Sequence, residues 1–100
     1  MTFTKVDQEK SNGTSYQGLI KKTTYSELCR IFGKPNGPSE DGKVQVQWTI
    51  EIAGSVIATI YDWKEEVDSR SLNYWHVGGT TKDVIQLIEI ILKEYRKNNK

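Results

Sequence analysis

Excess charge is what this 100-residue chain most plainly lacks: 14 Lys and Arg stand against 13 Asp and Glu, leaving a formal +1. No global basic field therefore draws it to nucleic acid, and direct nucleic-acid binding is not expected. Cysteine is nearly missing. Cys29 is alone, so an internal disulfide is excluded, and no metal-ligand pattern surrounds it. It reads as a small apolar residue on a helix. Histidine occurs once, at His76. Any imidazole chemistry must use that single ring, and no nucleophile-elbow or metal-ligand spacing accompanies it. No apolar run reaches membrane-spanning length. The first ten residues are polar and lack the apolar segment of a signal peptide. No internal repeat is visible. The expectation is one small soluble domain in the cytoplasm, with no membrane partner, no cofactor and no bound metal.

What the chain does have is a hairpin over residues 43–63. Val44, Val46, Trp48, Ile50 and Ile52 alternate with polar residues, which gives one strand with a dry face and a wet face. Ala53, Gly54 and Ser55 make the turn. The second strand is apolar at both parities, so it belongs in the centre of a sheet. Trp48, Tyr61 and Trp63 read as core packing.

Around the hairpin, residues 1–13 read as a flexible arm and residues 14–97 as a single α+β domain. Residues 14–20 suggest a short strand in which Gly18 marks a bulge or a close approach. Thr24 and Glu27 form a capping box for a short helix that Gly33 stops and Pro35 follows. Residues 34–42 are turn chemistry, and residues 64–72 a charged loop. Residues 73–77 form a strand ended by Gly78 and Gly79. Thr80 or Thr81 caps the last helix, with Asp83 favouring its positive end. Val84, Leu87, Ile88, Ile91, Leu92 and Tyr95 form its apolar stripe. Ile85 and Ile90 lie off the stripe and point to a wider buried face or a dimer contact. Lys93, Arg96, Lys97 and Lys100 read as a solvated helix end. The order strand-helix-strand-strand-strand-helix predicts a mostly antiparallel sheet of about four strands with helices packed on one face.

One stretch carries candidate chemistry. Tyr74 and His76 precede Gly78, Gly79, Thr80, Thr81 and Lys82. Two glycines before a helix start can turn backbone N–H groups toward an anion. The threonines add hydroxyls and Lys82 a charge, while an aromatic ring can stack a base. Together they suit a small anionic ligand such as a nucleotide. The competing reading is a tight strand–helix connection, since no nucleotide-binding motif is present. Strand parity sends Trp75 and Val77 to the core and leaves Tyr74 and His76 for a site. Tyr16 and Gln17 form a second polar cluster, and Tyr61 and Asp62 lie where scaffold and site meet. A hydrolase using His76 with Asp62 or Cys29 ranks behind binding.

The strings GTSYQGLI, TTYSELCRIFGKPNGPS, DGKVQVQWTIEI, ATIYDWK and WHVGG resemble a family of small, mostly uncharacterised bacteriophage proteins. The likeness spans roughly residues 13–91. The helix-then-sheet order is also similar to the repeat of β-lactamase-inhibitor-like domains, an analogy of fold alone. The phage resemblance implies a non-enzymatic counter-defence protein in the cytoplasm of an infected or lysogenic host cell. Two versions follow. One sequesters a signalling nucleotide, in a homo-oligomer if the site lies between subunits. The other blocks a host defence protein through its sheet face or edge, using Gln45, Gln47 and Thr49.

Overall fold

Among residues 1–98, which the computed structural model describes, five strands form one antiparallel sheet. They are β1 (Phe3–Lys5), β2 (Ser15–Lys21), β3 (Gln47–Ile52), β4 (Val56–Tyr61) and β5 (Tyr74–Gly79), in spatial order β1-β3-β4-β5-β2. Two helices, α1 (Tyr25–Phe32) and α2 (Val84–Asn98), complete an α+β fold. Lys100 lies outside the described residues.

The hairpin forms, but over Gln47–Tyr61 rather than residues 43–63, because Asp62 takes the N–H groups of Gln45 and Val46; of the three aromatics expected in the core only Trp48 is there, Tyr61 and Trp63 lying outside it. Trp48 pairs with Ile60 and Ile50 with Ala58, which puts their side chains on one face. Val77 and Gly79 continue that face on β5, and Gly18 and Ile20 on β2. Both helices pack there. Trp48, Ile50, Ile60, Trp75 and Val77 lose all solvent contact in one core with Leu28 of α1 and Val84 and Ile88 of α2. Trp48 and Trp75 meet edge to face, centroids 5.5 Å apart. Their indole N–H groups donate to the carbonyls of Gly33 (2.8 Å) and Thr23 (2.9 Å), so both rings are buried without an orphaned donor.

The sheet has one strand more than the sequence predicts. Phe3–Lys5, inside the segment read as a flexible arm, pair antiparallel with β3. A 3-10 turn (Gln8–Ser11) follows and packs against β3 and β4. It lies over their second face, where Thr49 and Thr59 are buried.

Other boundaries differ for local reasons. Thr24 accepts a hydrogen bond from the Glu27 N–H (3.2 Å), as a capping box requires. The Glu27 carboxylate does not close the box; it holds Arg96 of α2 at 2.7 Å. Gly18 serves both expected purposes. The β2–β5 register shifts between Tyr16 and Gly18, and a Cβ at Gly18 would stand 2.5 Å from Ile85 Cδ1. Ile85 therefore belongs to the buried face, while Ile90 is exposed.

Candidate ligand-binding site

The register that turns Trp48, Ile60 and Val77 toward the helices turns their neighbours the other way. Tyr61 stands opposite His76, and Gly78 opposite Tyr16. Four aromatic side chains, Tyr16, Tyr61, Trp63 and His76, line a cleft of about 460 Å³ on this open face. That volume lies within the range of small-molecule sites. His76 is at its centre. Its ring stacks on Tyr61 (centroids 5.7 Å apart, 27° between planes) and tilts toward Tyr16 (5.6 Å). Trp63 meets Tyr61 edge to face at 6.5 Å. Two flat faces, those of Tyr16 and Trp63, remain substantially exposed at 57% and 40%.

The cleft is polar at its margins. It shares Tyr16, Tyr61 and Trp63 with an adjoining cleft of about 220 Å³ that reaches Thr14, Thr59 and Gly78. Lys43 and Lys64 place their ammonium groups 5.7 Å from the Trp63 ring, within cation–π range. The Lys64 N–H donates to the Lys43 carbonyl at 2.7 Å, which holds the two residues side by side. Lys64 adopts φ 54°, an uncommon left-handed conformation for a lysine. Burial, reinforced by the nearby Tyr16 hydroxyl, raises the Tyr61 phenol above its ordinary pKa, so it stays a neutral donor. His76 Nδ1 is enclosed and has no hydrogen-bond partner.

The structure gathers part of the sequence-derived site and disperses the rest. Tyr16, Tyr61 and His76 form the cleft, with Gly78 in its polar extension. Tyr74 stands at the rim, 6.4 Å from His76, and its hydroxyl donates to Glu65, which raises its phenol pKa. Gln17 sits at the bulge and bonds Ser15 and the Gly79 carbonyl.

The Gly78-Gly79 cradle at a helix start does not form. Both glycines belong to β5, and α2 begins only at Val84, with residues 80–83 between them. A Cβ on Gly79 would meet Val84 Cγ1 at 2.4 Å, and one on Gly78 would meet Thr59 Oγ1 at 2.6 Å. They are glycine because neighbours press on them. Thr80 is no helix cap either: it pairs with Ile57, its N–H donating to the Ile57 carbonyl at 3.0 Å. Thr81 and Lys82 are exposed in the turn before α2, outside the cleft lining. Asp62 is buried at 1% exposure, and its Oδ1 accepts from the N–H groups of Gln45 (2.8 Å) and Val46 (3.1 Å). It organises the loop rather than the cleft.

Sequence reasoning missed Trp63, Lys43 and Lys64. Trp63 shares the parity of Tyr61, two residues beyond it, and that parity is the open face. A larger groove of about 790 Å³ lies between β2 and α2 and has no aromatic lining.

Comparison of the chain with protein-family models, curated proteins and solved structures gives no match.

Proposed function

We propose that the chain is a non-catalytic binding protein that sequesters a small anionic ligand with a planar ring, a signalling nucleotide, in the aromatic cleft. The observation that carries this reading is the convergence of four rings on an open sheet face beside two lysines. Stacking on aromatic side chains is the common way to hold a base, and it contributes roughly 1–3 kcal/mol per base. The lysines supply positive charge at the Trp63 end.

Binding is favoured over hydrolysis by what surrounds His76. Its neighbours are phenol rings. Asp62 is engaged with backbone N–H groups, and Cys29 lies on α1 at the opposite face. Docking a host protein on the sheet face has less support. Thr49 is fully buried, Gln45 donates to the Val67 carbonyl, and Gln47 donates to Thr49. The phage resemblance supplies the biological setting of this reading: removal of a host alarm nucleotide during infection.

A thermal-shift and calorimetric screen against mono-, di- and cyclic nucleotides tests it. A ligand that binds only the native state raises Tm, and Trp63→Ala should weaken binding by about 5- to 150-fold. Absence of any shift at millimolar nucleotide, or full affinity in Trp63→Ala, defeats the proposal.

A further inference from the structure

The groove between β2 and α2 lies on the helix-covered face of the sheet, away from the aromatic cleft. Its floor is Ile20 and Leu92, both buried. Its walls carry Lys21 and Lys22 at the end of β2, and Lys93, Arg96 and Lys97 on α2. Glu89 is the one carboxylate in the lining. Lys21 pairs with Tyr74 and so has the parity opposite to Ile20, and Arg96 is engaged by Glu27; among the described residues the groove's free cations are Lys22, Lys93 and Lys97, in a chain whose net charge is only +1. Such a cluster in a concave site focuses the field on an incoming anion.

Part of this pattern has a local cause. Cations near a helix C-terminus offset the macrodipole, which accounts for Arg96 and Lys97. It does not account for Lys22, which lies in the turn after β2; Lys93 has a local cause of its own, since Glu89 stands one turn before it in the favourable i,i+4 order. Lys93 and Lys97 stand at i,i+4, a like-charge spacing that weakens a helix. None of the four lysines forms an ion pair among the described residues. Arg96 is fixed by the Glu27 carboxylate, the Lys22 carbonyl (3.0 Å) and Thr23 Oγ1 (3.3 Å), so it ties both walls together. Lys22 itself holds φ 56°, a conformation unusual for a side chain of this kind, at the turn that presents it to the groove.

We propose that this groove is a second anion site, for a ligand bearing several linked phosphate groups and recognised through phosphate rather than through a ring. Lysines act there as point charges on phosphate oxygens, and the groove's volume of about 790 Å³ admits a short phosphate chain. The phosphate chain can belong to a compact polyphosphate or to a short single-stranded oligonucleotide.

The test titrates the intact protein with inorganic tripolyphosphate and, separately, with a fluorescein-labelled oligothymidylate, at roughly 50 mM and 200 mM salt. Binding is expected at the lower salt and should weaken steeply at the higher. Lys22→Gln/Lys93→Gln changes two exposed residues; it should lower affinity on the order of tenfold or more and flatten the salt slope for the single-stranded probe by about 1.4. Trp63→Ala should leave this binding unchanged, which separates the groove from the aromatic cleft. Binding of tripolyphosphate alone identifies a compact polyphosphate, and binding of the oligonucleotide alone a nucleic-acid backbone; either supports the site. Binding of neither probe at the lower salt, or equal affinity in the double variant, overturns it.

Discussion

Gly79 shows how one residue type carries two opposite messages. In sequence, two glycines after a strand signal a break. In the fold, Gly79 is a strand residue across from Ala58, and it is glycine because Val84 lies directly over it. Val84 is fully buried on the first turn of α2 and has no room to swing aside. Gly79→Ala should therefore destabilise the protein by about 1–3 kcal/mol through overpacking, read as a lower denaturation midpoint with an unchanged m-value. Asp62 is the second informative residue. Its Oδ1 satisfies two backbone donors of the loop that enters β3. Asp62→Ala strands both N–H groups and should cost about 3 kcal/mol, with faster amide exchange at Gln45 and Val46 as its local signature. An unchanged exchange rate at those two amides would assign them other partners. Tyr61 adds a spectroscopic handle: Tyr25, Tyr61 and Tyr74 all have raised pKa values, so an absorbance titration should show a late phenolate step from which Tyr61→Phe removes one tyrosine's amplitude.

At the scale of elements, α1 is too short to persist alone, and its attachment is visible in one ion pair. Arg96 donates Nε and Nη2 to the two Glu27 oxygens at 2.8 and 2.7 Å, joining α2 to α1. The hydrogen bond from Arg96 holds the Glu27 carboxyl below its ordinary pKa, against the opposing effect of burial. A carboxylate lowered in the folded state stabilises that state above the unfolded value, and the contribution is lost as pH falls through the folded value. Because Arg96 is about 43% exposed, the pair is worth less than about 1 kcal/mol after solvent screening. Glu27→Gln should show that small deficit at neutral pH and converge with the parent in acid; a deficit growing toward acid would contradict the sign. The elements themselves were legible to different degrees. The hairpin, the α1 cap and stop, and the stripe of α2 were readable because period and capping are local properties. Phe3–Lys5 was not, since three residues with one apolar side chain carry no period, and only pairing with β3 makes them a strand. The cleft was half legible. Tyr16, Tyr61 and His76 follow from composition and parity, whereas Trp63, Lys43 and Lys64 meet only once the loops on either side of the hairpin fold back.

At the scale of the molecule, the N-terminal segment is a strap. It adds β1 to one side of the sheet, crosses over Thr49 and Thr59 through the 3-10 turn, and delivers the chain to β2 at the far side. Removing residues 1–11 should uncover both threonines and the flank of β3. Each kcal/mol so lost lowers Tm by roughly 4–8 °C in a domain of this size, and differential scanning calorimetry reads it directly. The two outer strands also share a property with a practical outcome. β1 is only three residues long and ends in Lys5, while β2 is interrupted by the bulge next to Gly18. Neither offers the long regular edge on which a second copy can add a strand, so stacking into fibrils is frustrated at both ends of the sheet. Guarded edges let a sheet protein reach high concentration while its copies stay dispersed.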